Sequence, residues 1–526
     1  MNSPKPPSSL SLFFIYGPPG AGKSSAGRLL AQALDVPFWD LDAEIEARNR
    51  APIPKIFARY GESGFRKRER KVLETLISHP KGVISLGGGA LLNPTSRLLV
   101  ESHGAILCLD APLDSLLSRL DSPEQERPLL SGNIRGRLEN LLEARASHYA
   151  GFPLRLNTDS LPSAEIAWQA QVRLGAFHVR GMGADYDVRV KAGSLDLLGE
   201  ALVGHGLGNP VVMVTDQNIA PLYAERALEA LKSTGYSAQL AVIAPEESHK
   251  NIETIANIWQ SFTQARLERG STVIALGGGV VNDLAGFAAA TYLRGVSWVA
   301  VPTSLLAMVD ASLGGKTGFD LPWGKNLVGA FHPPRLVLAD PLLLDTLPEV
   351  ELRSGMAEVV KHGVINDPEL FSLCANDWEA VQANLDEIVR RGMAVKVRVI
   401  QADPYEKGAR AALNLGHTLG HALEQASGYR LRHGEAVAIG MVAAARLSEQ
   451  RGIAGHGLAD EIVGVLRRLG LPVEIPTDLD IGAINAAMGL DKKRAAGKVR
   501  FVLPRRIGEV QTGVELDDFW QVLNTS

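Results

Sequence analysis

The feature that most constrains the fold of this chain is a glycine-rich turn close to its start. An apolar run at residues 10–16 leads directly into residues 17–24, GPPGAGKS, and a helical pattern follows. Glycines let consecutive backbone N–H groups face phosphate oxygens, and the helix N-terminus adds a favourable dipole. Strand, turn and helix in this order predict a nucleotide-binding loop in a parallel α/β sheet, with Lys23 on the β- and γ-phosphates and Ser24 on Mg²⁺. An ordinary glycine-rich turn is the alternative, and the lysine and serine in register argue against it.

Length and composition indicate a multidomain globular protein. The chain has 526 residues, 46% of them hydrophobic and 21% charged, with a net charge of −4. This length exceeds what one core usually supports, and no basic block predicts a nucleic-acid partner. With only Cys108 and Cys374, a disulfide framework is not expected. Residues 1–9 are expected to be disordered. No signal segment or membrane span is recognised, so we expect a cytoplasmic location.

Strand and helix signals alternate along two stretches of the chain. In residues 10–174 the pattern predicts a parallel sheet covered by helices, ending with a helix that Ser163 would cap. Glycines 175, 181 and 183 place a linker at 175–184. A second α/β pattern covers residues 185–345, and helical patterns dominate residues 346–526. The predicted helices of this last part span 349–365, 385–399, 415–425 and 435–450.

Two carboxylates and three arginines follow the glycine-rich turn in the first half. Asp40 and Asp42 stand two residues apart, which suits one metal-side role and one hydroxyl-facing role. The arginines are Arg66 on a helical face, Arg127 in the lid-like segment RPLL, and Arg145 in the helical pattern of residues 134–148. Taken singly, each arginine is more often a solvated surface residue than a ligand.

Together these positions make residues 10–172 resemble shikimate kinase. The resemblance implies that Asp42 orients the acceptor hydroxyl and takes its proton, while Arg66 and Arg145 grip the shikimate carboxylate. It also implies that Asp40 lies near Mg²⁺ and that Arg127 closes over the phosphates. The remaining implied positions are Gly88 and Gly89 in the substrate pocket, and Gly17, Gly20, Gly22, Lys23 and Ser24 around ATP.

A second set of chemically active residues lies far downstream. Glu358 occupies one helical pattern, His417 and His421 lie four residues apart on another, and His433 opens a third. A carboxylate with imidazoles suits catalytic Zn²⁺, which takes three protein ligands and keeps one position open. Spacing alone would select His417 and His421 as the ligand pair. A packed or surface histidine pair is the alternative.

Residues 178–526 resemble 3-dehydroquinate synthase, and the resemblance replaces that ligand pair. It implies that Glu358, His417 and His433 hold Zn²⁺ or Co²⁺ and that His421 faces the substrate. Catalytic roles are implied for Lys316, Lys361, Arg410, His421, Lys396 and Asp310, and substrate contacts for Arg294, Asn326, Asn414, Lys492 and Lys493, with one or both of the last two lysines involved. The implied NAD positions are Asp216, Glu247, Lys250, Gly278, Gly279, Asp283, Thr303, Ser304, Lys316, Lys325 and Thr346. Two residues depart from the family pattern, because Glu246 and Asn282 stand where glycine is usual.

The sequence thus predicts an α/β fold class in three parts: a P-loop domain similar to nucleoside monophosphate kinases, a Rossmann-like α/β domain, and a mostly helical metal-binding domain. The resemblances imply a bifunctional shikimate-pathway enzyme that uses NAD, Zn²⁺ or Co²⁺, and Mg²⁺ with ATP. They also imply a homodimer formed through the synthase half. A metal- and NAD-dependent polyol dehydrogenase is the alternative for the second half, although a polyol needs no phosphate clamp. A nucleotide-sensing module without kinase activity is the alternative for the first half.

Overall fold

The computed structural model describes residues 10–120, 133–406, 408–494 and 499–516, with backbone only for residues 489–494. The described chain divides into two compact units. The first ends at His178 and also takes in Gly199–Gly206, and the second comprises Val179–Leu198 and the described residues from Leu207 onward. Strand β6 (Ala176–Val179), within the predicted linker, and helix α8 (Leu198–Gly204) each have residues on both sides of this division.

The first unit is built around a five-stranded parallel sheet in the order β2-β3-β1-β4-β5. The central strand is buried at every position, as a strand with helices on both faces must be. The strands are β1 (Leu12–Tyr16), β2 (Phe38–Asp40), β3 (Gly82–Ser85), β4 (Ala105–Asp110) and β5 (Arg155–Asn157). The helices are α1 (Lys23–Leu34), α2 (Leu41–Asn49), α3 (Ile53–Leu76), α4 (Pro94–Glu101), α5 (Leu113–Leu120), α6 (Ile134–Ala150) and α7 (Ser163–Leu174).

The register of this sheet brings three separate turns to one edge. Ile15 pairs with Ser85 and Asp40 also pairs with Ser85, so β1, β2 and β3 end level with one another. The residues that follow them are the glycine-rich turn, Asp42 and the glycines at 87–89. Ligands of open α/β sheets bind at this carboxyl edge, which makes it the candidate site of the first unit.

The second unit begins with a larger parallel sheet, whose strands here run in the order β7-β14-β11-β10-β8-β9. They are β7 (Tyr186–Val190), β8 (Gly208–Asp216), β9 (Ala238–Ile243), β10 (Ser271–Gly277), β11 (Ser297–Pro302) and β14 (Leu336–Ala339). An antiparallel pair, β12 (Lys316–Leu321) and β13 (Gly324–Phe331), precedes the last of them. The helices of this part are α9 (Glu225–Ser233), α10 (Ile252–Gln264) and α11 (Gly279–Thr291).

Helices make up most of the second unit from residue 349 onward. They are α12 (Glu349–Asn366), α13 (Pro368–Cys374), α14 (Trp378–Ala383), α15 (Leu385–Ala402), α16 (His417–Ala426), α17 (His433–Gln450), α18 (Leu458–Arg468) and α19 (Ile481–Arg494). An antiparallel hairpin, β15 (Arg500–Arg506) and β16 (Glu509–Glu515), follows them. None of the described helices combines the length and the apolar character needed to cross a membrane.

Two glycines of α17 allow the helices of this part to approach very closely. A Cβ atom on Gly434 would lie 1.9 Å from the carbonyl oxygen of Ser354 on α12. A Cβ atom on Gly440 would lie 1.9 Å from the carbonyl oxygen of Gly416, which caps α16. Only a residue without a side chain fits at such a distance, so α12, α16 and α17 pack backbone to backbone.

The predicted fold class is confirmed, and one local prediction was wrong. Ser163 does not cap α7: Pro162 occupies the cap position, no side chain bonds there, and Ser163 is the first helical residue. The β15–β16 hairpin was not predicted. The domain limits expected at 174, 184 and 345 stay predictions.

Candidate active sites

The glycine-rich turn of the first unit has the backbone that its sequence requires. Gly17 and Gly20 have φ values of +136° and +82°, and a Cβ atom on them would lie 2.1 Å and 2.7 Å from backbone carbonyl oxygens. Any other residue would therefore clash as well as be strained. Lys23 begins α1, and its Nζ donates a hydrogen bond to the Pro18 carbonyl at 2.9 Å across the turn. The turn thus holds the Lys23 ammonium against its own backbone.

A hydroxyl and a carboxylate lie together beside this turn. Ser24 Oγ donates to Asp40 Oδ2 at 2.6 Å. The other oxygen of Asp40 accepts the backbone N–H groups of Asp42 and Ala43, so Asp40 also caps α2. Hydroxyl and carboxylate oxygens are ligands that Mg²⁺ accepts.

The glycines after β3 lie between the two residues expected to bind the acceptor. A Cβ atom on Gly87 would be 2.9 Å from Asp42 Oδ1, and one on Gly89 would be 2.6 Å from Arg66 Nη2. Small residues here leave room for a ligand between the carboxylate and the guanidinium. The structure therefore brings Asp42, Arg66 and this turn together.

The carbonyl of Gly88 is the centre of a hydrogen-bond network that the sequence did not predict. It accepts from Arg145 Nη1 at 2.9 Å, from the Tyr149 hydroxyl at 2.9 Å and from the Tyr16 hydroxyl at 3.2 Å. Tyr16 also lies 3.0 Å from Nε2 of His148. Arg145 is thus anchored against the glycine turn. The fourth-residue spacing of Arg145 and Tyr149 on α6 was the one available signal.

Glu69 is a second unpredicted neighbour. Arg66 Nη1 donates to both carboxylate oxygens of Glu69 at 2.9 and 2.8 Å, and Glu62 lies 3.5 Å from Nη2. Burial raises the pKa of Glu69, while the charge of Arg66 acts in the opposite direction. The pair holds the guanidinium plane in place and leaves its Nη2 side towards Gly89. Arg127, the predicted lid arginine, lies outside the described residues.

In the second unit, three side chains from three helices converge. Glu358 Oε1 lies 3.6 Å from Nε2 of His417 and 3.5 Å from Nε2 of His433. One oxygen or nitrogen of each lies within 4.8 Å of the others, the spacing of a metal-binding group. His421 instead contacts the edge of this group, with its ring 5.1 Å from that of His417. The structure thus brings together the three predicted ligands and places His421 beside them.

His417 and His433 are each oriented by a contact to the ring nitrogen that faces away from Glu358. Nδ1 of His417 lies 3.2 Å from the Leu415 carbonyl, and Nδ1 of His433 lies 3.3 Å from Oε2 of Glu424. Such contacts fix the tautomer and direct Nε2 of each ring at Glu358, as is typical of metal-binding histidines. The sequence analysis missed Glu424, although its position three residues after His421 places both on one face of α16.

The electrostatics of this group favour a cation. Burial acts to lower the pKa of His433, but hydrogen bonding to Glu358 and Glu424 raises it to about 10. Burial opposes ionisation of Glu358, yet Lys361 and the imidazoles hold its pKa well below the usual range. A buried carboxylate that is kept ionised beside two imidazoles fits Zn²⁺ or Co²⁺ by its donor set.

Buried basic residues surround the three ligands. Lys361 forms an ion pair with Glu358, and Lys396 Nζ lies 2.5 Å from Asp310 Oδ1 and 2.7 Å from its carbonyl oxygen. Burial lowers the pKa of Lys396, and Asp310 opposes that shift. Arg410 is 3% exposed and donates to the Pro404 carbonyl at 2.7 Å. These cations can hold the negative groups of an anionic substrate next to the metal-binding group.

The glycine turn after β10 leads directly into α11, with Gly278 at the cap position. Lys250 contacts this helix: its Nζ lies 2.6 Å from Oδ2 of Asp283 on α11 and 2.6 Å from Oδ1 of Asn326. Burial opposes its charge, but Asp283 and Glu247 raise the pKa of Lys250. The first N–H groups of α11 have no partner within a helix, so the turn fits a pyrophosphate.

The other predicted positions lie at defined places in the second unit. Lys325 Nζ is 3.4 Å from Glu247 and 4.4 Å from the centre of the Tyr429 ring, so it connects the sheet to the helical part. Lys316 pairs with Glu406. Asp216 accepts a backbone hydrogen bond in the turn after β8, and the hydroxyl of Thr346 is hydrogen-bonded to that of Tyr223. Thr303 and Ser304 directly follow β11. Arg294 and Asn414 are exposed. The side chains of Lys492 and Lys493 lie outside the described residues.

The two departures from the family pattern differ in their local geometry. Glu246 has φ +78° and ψ 153°, a region that is strained for residues other than glycine. The structure thus explains why glycine is usual there. Asn282 lies in regular helix and is 1% exposed.

Three family models match successive parts of this chain. Residues 19–174 match the shikimate kinase family model, 240–354 the N-terminal model of 3-dehydroquinate synthase, and 355–494 its C-terminal model. The 3-dehydroquinate synthase of Nostoc punctiforme is 47% identical over 332 residues, which cover 62% of this chain and 92% of that protein.

Two solved structures are similar to this chain over about two thirds of its length. A 2-epi-5-epi-valiolone synthase from Streptomyces hygroscopicus, with NAD⁺ and Zn²⁺ bound, has a TM-score of 0.59 at 30% identity, covering 65% of this chain and 96% of its own. A 2-deoxy-scyllo-inosose synthase in complex with carbaglucose-6-phosphate, NAD⁺ and Co²⁺ has a TM-score of 0.60 at 25% identity, with the same coverage.

Proposed function

The chain belongs to the 3-dehydroquinate synthase family, and its residues 19–174 match the shikimate kinase family model. From this premise we propose that it catalyses two specific reactions. One is the ATP-dependent phosphorylation of shikimate to shikimate 3-phosphate. The other is the NAD- and metal-dependent conversion of 3-deoxy-D-arabino-heptulosonate 7-phosphate to 3-dehydroquinate and phosphate. The observation that carries the proposal is the presence, among the described residues, of two sets of anion-binding groups, one in each unit.

In the first unit, Lys23 and the N–H groups of the glycine-rich turn would hold ATP, with Ser24 and Asp40 on Mg²⁺. Bound Mg²⁺ and ATP supply the transferable phosphoryl group and neutralise its charge. Asp42 lies opposite Arg66 across the glycines 87–89 and would orient the shikimate hydroxyl and accept its proton. Arg66 and Arg145 would bind the carboxylate, and Arg127 would stabilise charge during transfer.

In the second unit, Glu358, His417 and His433 would hold Zn²⁺ or Co²⁺, and the turn at Gly278 and Gly279 would receive NAD. A divalent cation held there would make a bound hydroxyl more acidic, and NAD would supply a reversible hydride acceptor beside it. Loss of hydride from the carbon that bears this hydroxyl would acidify the neighbouring C–H. Phosphate could then leave by elimination, and return of the hydride, ring opening and an aldol step would close the carbocycle.

The residues of this chain position the substrate for those steps. Lys361 pairs with Glu358 and Lys396 pairs with Asp310, and carboxylate oxygens of Glu358 and Asp310 lie within 4.8 Å of one another. With Lys316 and Arg410 they would bind the phosphate and carboxylate. His421, beside His417, would face the reacting ring.

The two reactions are not consecutive, since a dehydration and a reduction separate them. We therefore expect no direct transfer of product, and infer that the fusion fixes equal amounts of two activities. The domain limits, the cytoplasmic location and a homodimer through the synthase half remain parts of this proposal.

The test is a pair of separate assays on the full-length purified chain. After chelation, Mg²⁺ alone should restore shikimate phosphorylation, whereas phosphate release from the heptulosonate should return only with Zn²⁺ or Co²⁺. No net NADH should accumulate, which separates the synthase from a polyol dehydrogenase. Synthase activity restored by Mg²⁺ alone, or NADH formed in proportion to product, would refute the proposal for the second unit. Absence of shikimate phosphorylation would favour a nucleotide-sensing module in the first.

A further inference from the structure

We propose that Asn282 is a positioning residue that fixes the glycine turn for the NAD pyrophosphate, a proposal that rests on the function proposed above. Asn282 is the fourth residue of α11 and is buried. Its side-chain Nδ2 donates to the carbonyl oxygens of both Gly277 and Gly278, at 3.0 and 2.9 Å. A glycine at this position would leave both bonds unmade.

The two carbonyls are fully occupied by donors. The Gly277 oxygen also accepts from the Thr303 backbone N–H at 3.1 Å, and the Gly278 oxygen from the Asn282 backbone N–H at 3.1 Å. A carbonyl oxygen has two lone pairs, so each oxygen then has one donor for each lone pair. Neither peptide can rotate without losing a bond.

This arrangement determines where the neighbouring N–H groups face. In a planar trans peptide the C=O and the following N–H point in opposite directions. Holding the carbonyls of Gly277 and Gly278 towards Asn282 therefore turns the N–H groups of Gly278 and Gly279 away from it, out of the helix start. That is the side on which an anion binds at a helix N-terminus, and a carbonyl turned there would repel it.

The orientation of the amide follows from the same contacts. If the amide were reversed, Oδ1 would face two carbonyl oxygens, which is repulsive. In the observed orientation Oδ1 is buried and has no hydrogen-bond partner. Asn282 thus leaves one acceptor unsatisfied while making two donations, and a carboxylate of the same shape could make neither.

The experiment compares Asn282→Gly and Asn282→Asp with the parent in the full-length, metal-loaded chain. NAD affinity is measured by titration calorimetry, and the KM for NAD and kcat by phosphate release. We expect NAD to bind 3- to 10-fold more weakly to N282G and 10- to 100-fold more weakly to N282D. With saturating NAD, kcat should change less than twofold, because the two hydrogen bonds of the Asn282 side chain act on cofactor binding and not on the reacting groups.

Two controls separate this role from general loss of stability. Shikimate phosphorylation by the same chain reports the concentration of chains whose first unit is intact. Ala288→Gly weakens α11 away from the turn and should leave NAD affinity unchanged. If N282D does not fold, Asn282→Ser, which keeps a shorter donor, should fall between the parent and N282G.

Three results would overturn the proposal. They are NAD binding by N282G as tight as in the parent, an equal loss in A288G, and a kcat that falls with KM unchanged. A parent chain that binds no NAD at all would instead refute the proposed function of the second unit, and this inference with it.

Discussion

The two units hold their ligand-binding groups in place in different ways. The first relies on backbone: N–H groups of the glycine-rich turn, the carbonyl of Gly88, and side chains that stay partly exposed, such as Arg66 at 27%. The second relies on charged side chains removed from water, among them Glu358 at 0%, Lys361 at 1% and Arg410 at 3%. Backbone groups are held by the fold itself, whereas buried charges are held by each other.

This difference predicts different responses to damage. A buried ion pair contributes little net stability, yet removal of one partner leaves an uncompensated charge and costs roughly 3–5 kcal/mol. Partly exposed arginines are solvated when they lose a partner, so their loss affects ligand binding more than folding. Single substitutions should therefore affect both activity and stability in the second unit, and activity alone in the first.

The largest effect is expected for Glu358→Gln. The amide removes the charge that balances Lys361 and weakens metal binding, so synthase activity should fall at least about 10³-fold and the second unit should melt earlier. Bound metal per chain, synthase rate and thermal unfolding measure the change. Glu358→Asp keeps the charge at shorter reach and should retain more stability than activity. Full metal content with undiminished activity in E358Q would contradict the ligand assignment.

A loss of about 10²- to 10³-fold in kcat/KM for shikimate is expected for Arg145→Ala, because a charge-assisted contact to the substrate carboxylate is lost. Thermal stability and synthase activity should not change. Arg137→Ala removes an exposed arginine from the same helix and serves as the control. Loss of both activities in R145A would show that the two sites are not independent.

A smaller effect is expected for Glu424→Gln, which weakens the contact that orients His433. Metal affinity should fall about 10- to 100-fold, and excess Zn²⁺ should restore most of the synthase rate. Competition with a chelating dye measures the affinity. Glu435→Gln serves as the control. It changes a carboxylate that accepts the backbone N–H of Arg432 at the start of α17, the helix of His433, and it should leave metal affinity unchanged. Equal losses in both variants would remove the special role of Glu424.

The sequence predicted most of the fold because its elements carry local patterns. The strand before Gly17 and the helix after it follow from apolar runs and a known turn chemistry. The β15 strand was missed because Pro504 and three arginines lie within Arg500–Arg506, a composition that argues against a strand. Only its pairing with β16, across a turn at Gly508 with φ +87°, makes it one.

The sites were predictable by residue type but not by contact. Spacing favoured His417 with His421, whereas the structure directs His417 and His433 at Glu358, far away in sequence. Tyr16 gave no distinct local signal, and Glu424 gave only its spacing from His421, since their partners are set by helix packing and strand order. The hydrogen bonds by which Asn282 holds the glycine turn likewise depend on the pairing of Gly277 with β11. No linear pattern encodes that contact.

The close packing of α12, α16 and α17 has a consequence for how this sequence can drift. Each of these helices carries one of the three converging ligands, and each interhelical approach depends on a hydrogen atom in place of a side chain at positions 434 and 440. A single methyl group at either position would push the ligands apart without touching any of them. Natural selection should therefore guard these two glycine codons as strictly as the histidine codons, and a saturation survey of viable variants should find both positions almost empty of alternatives.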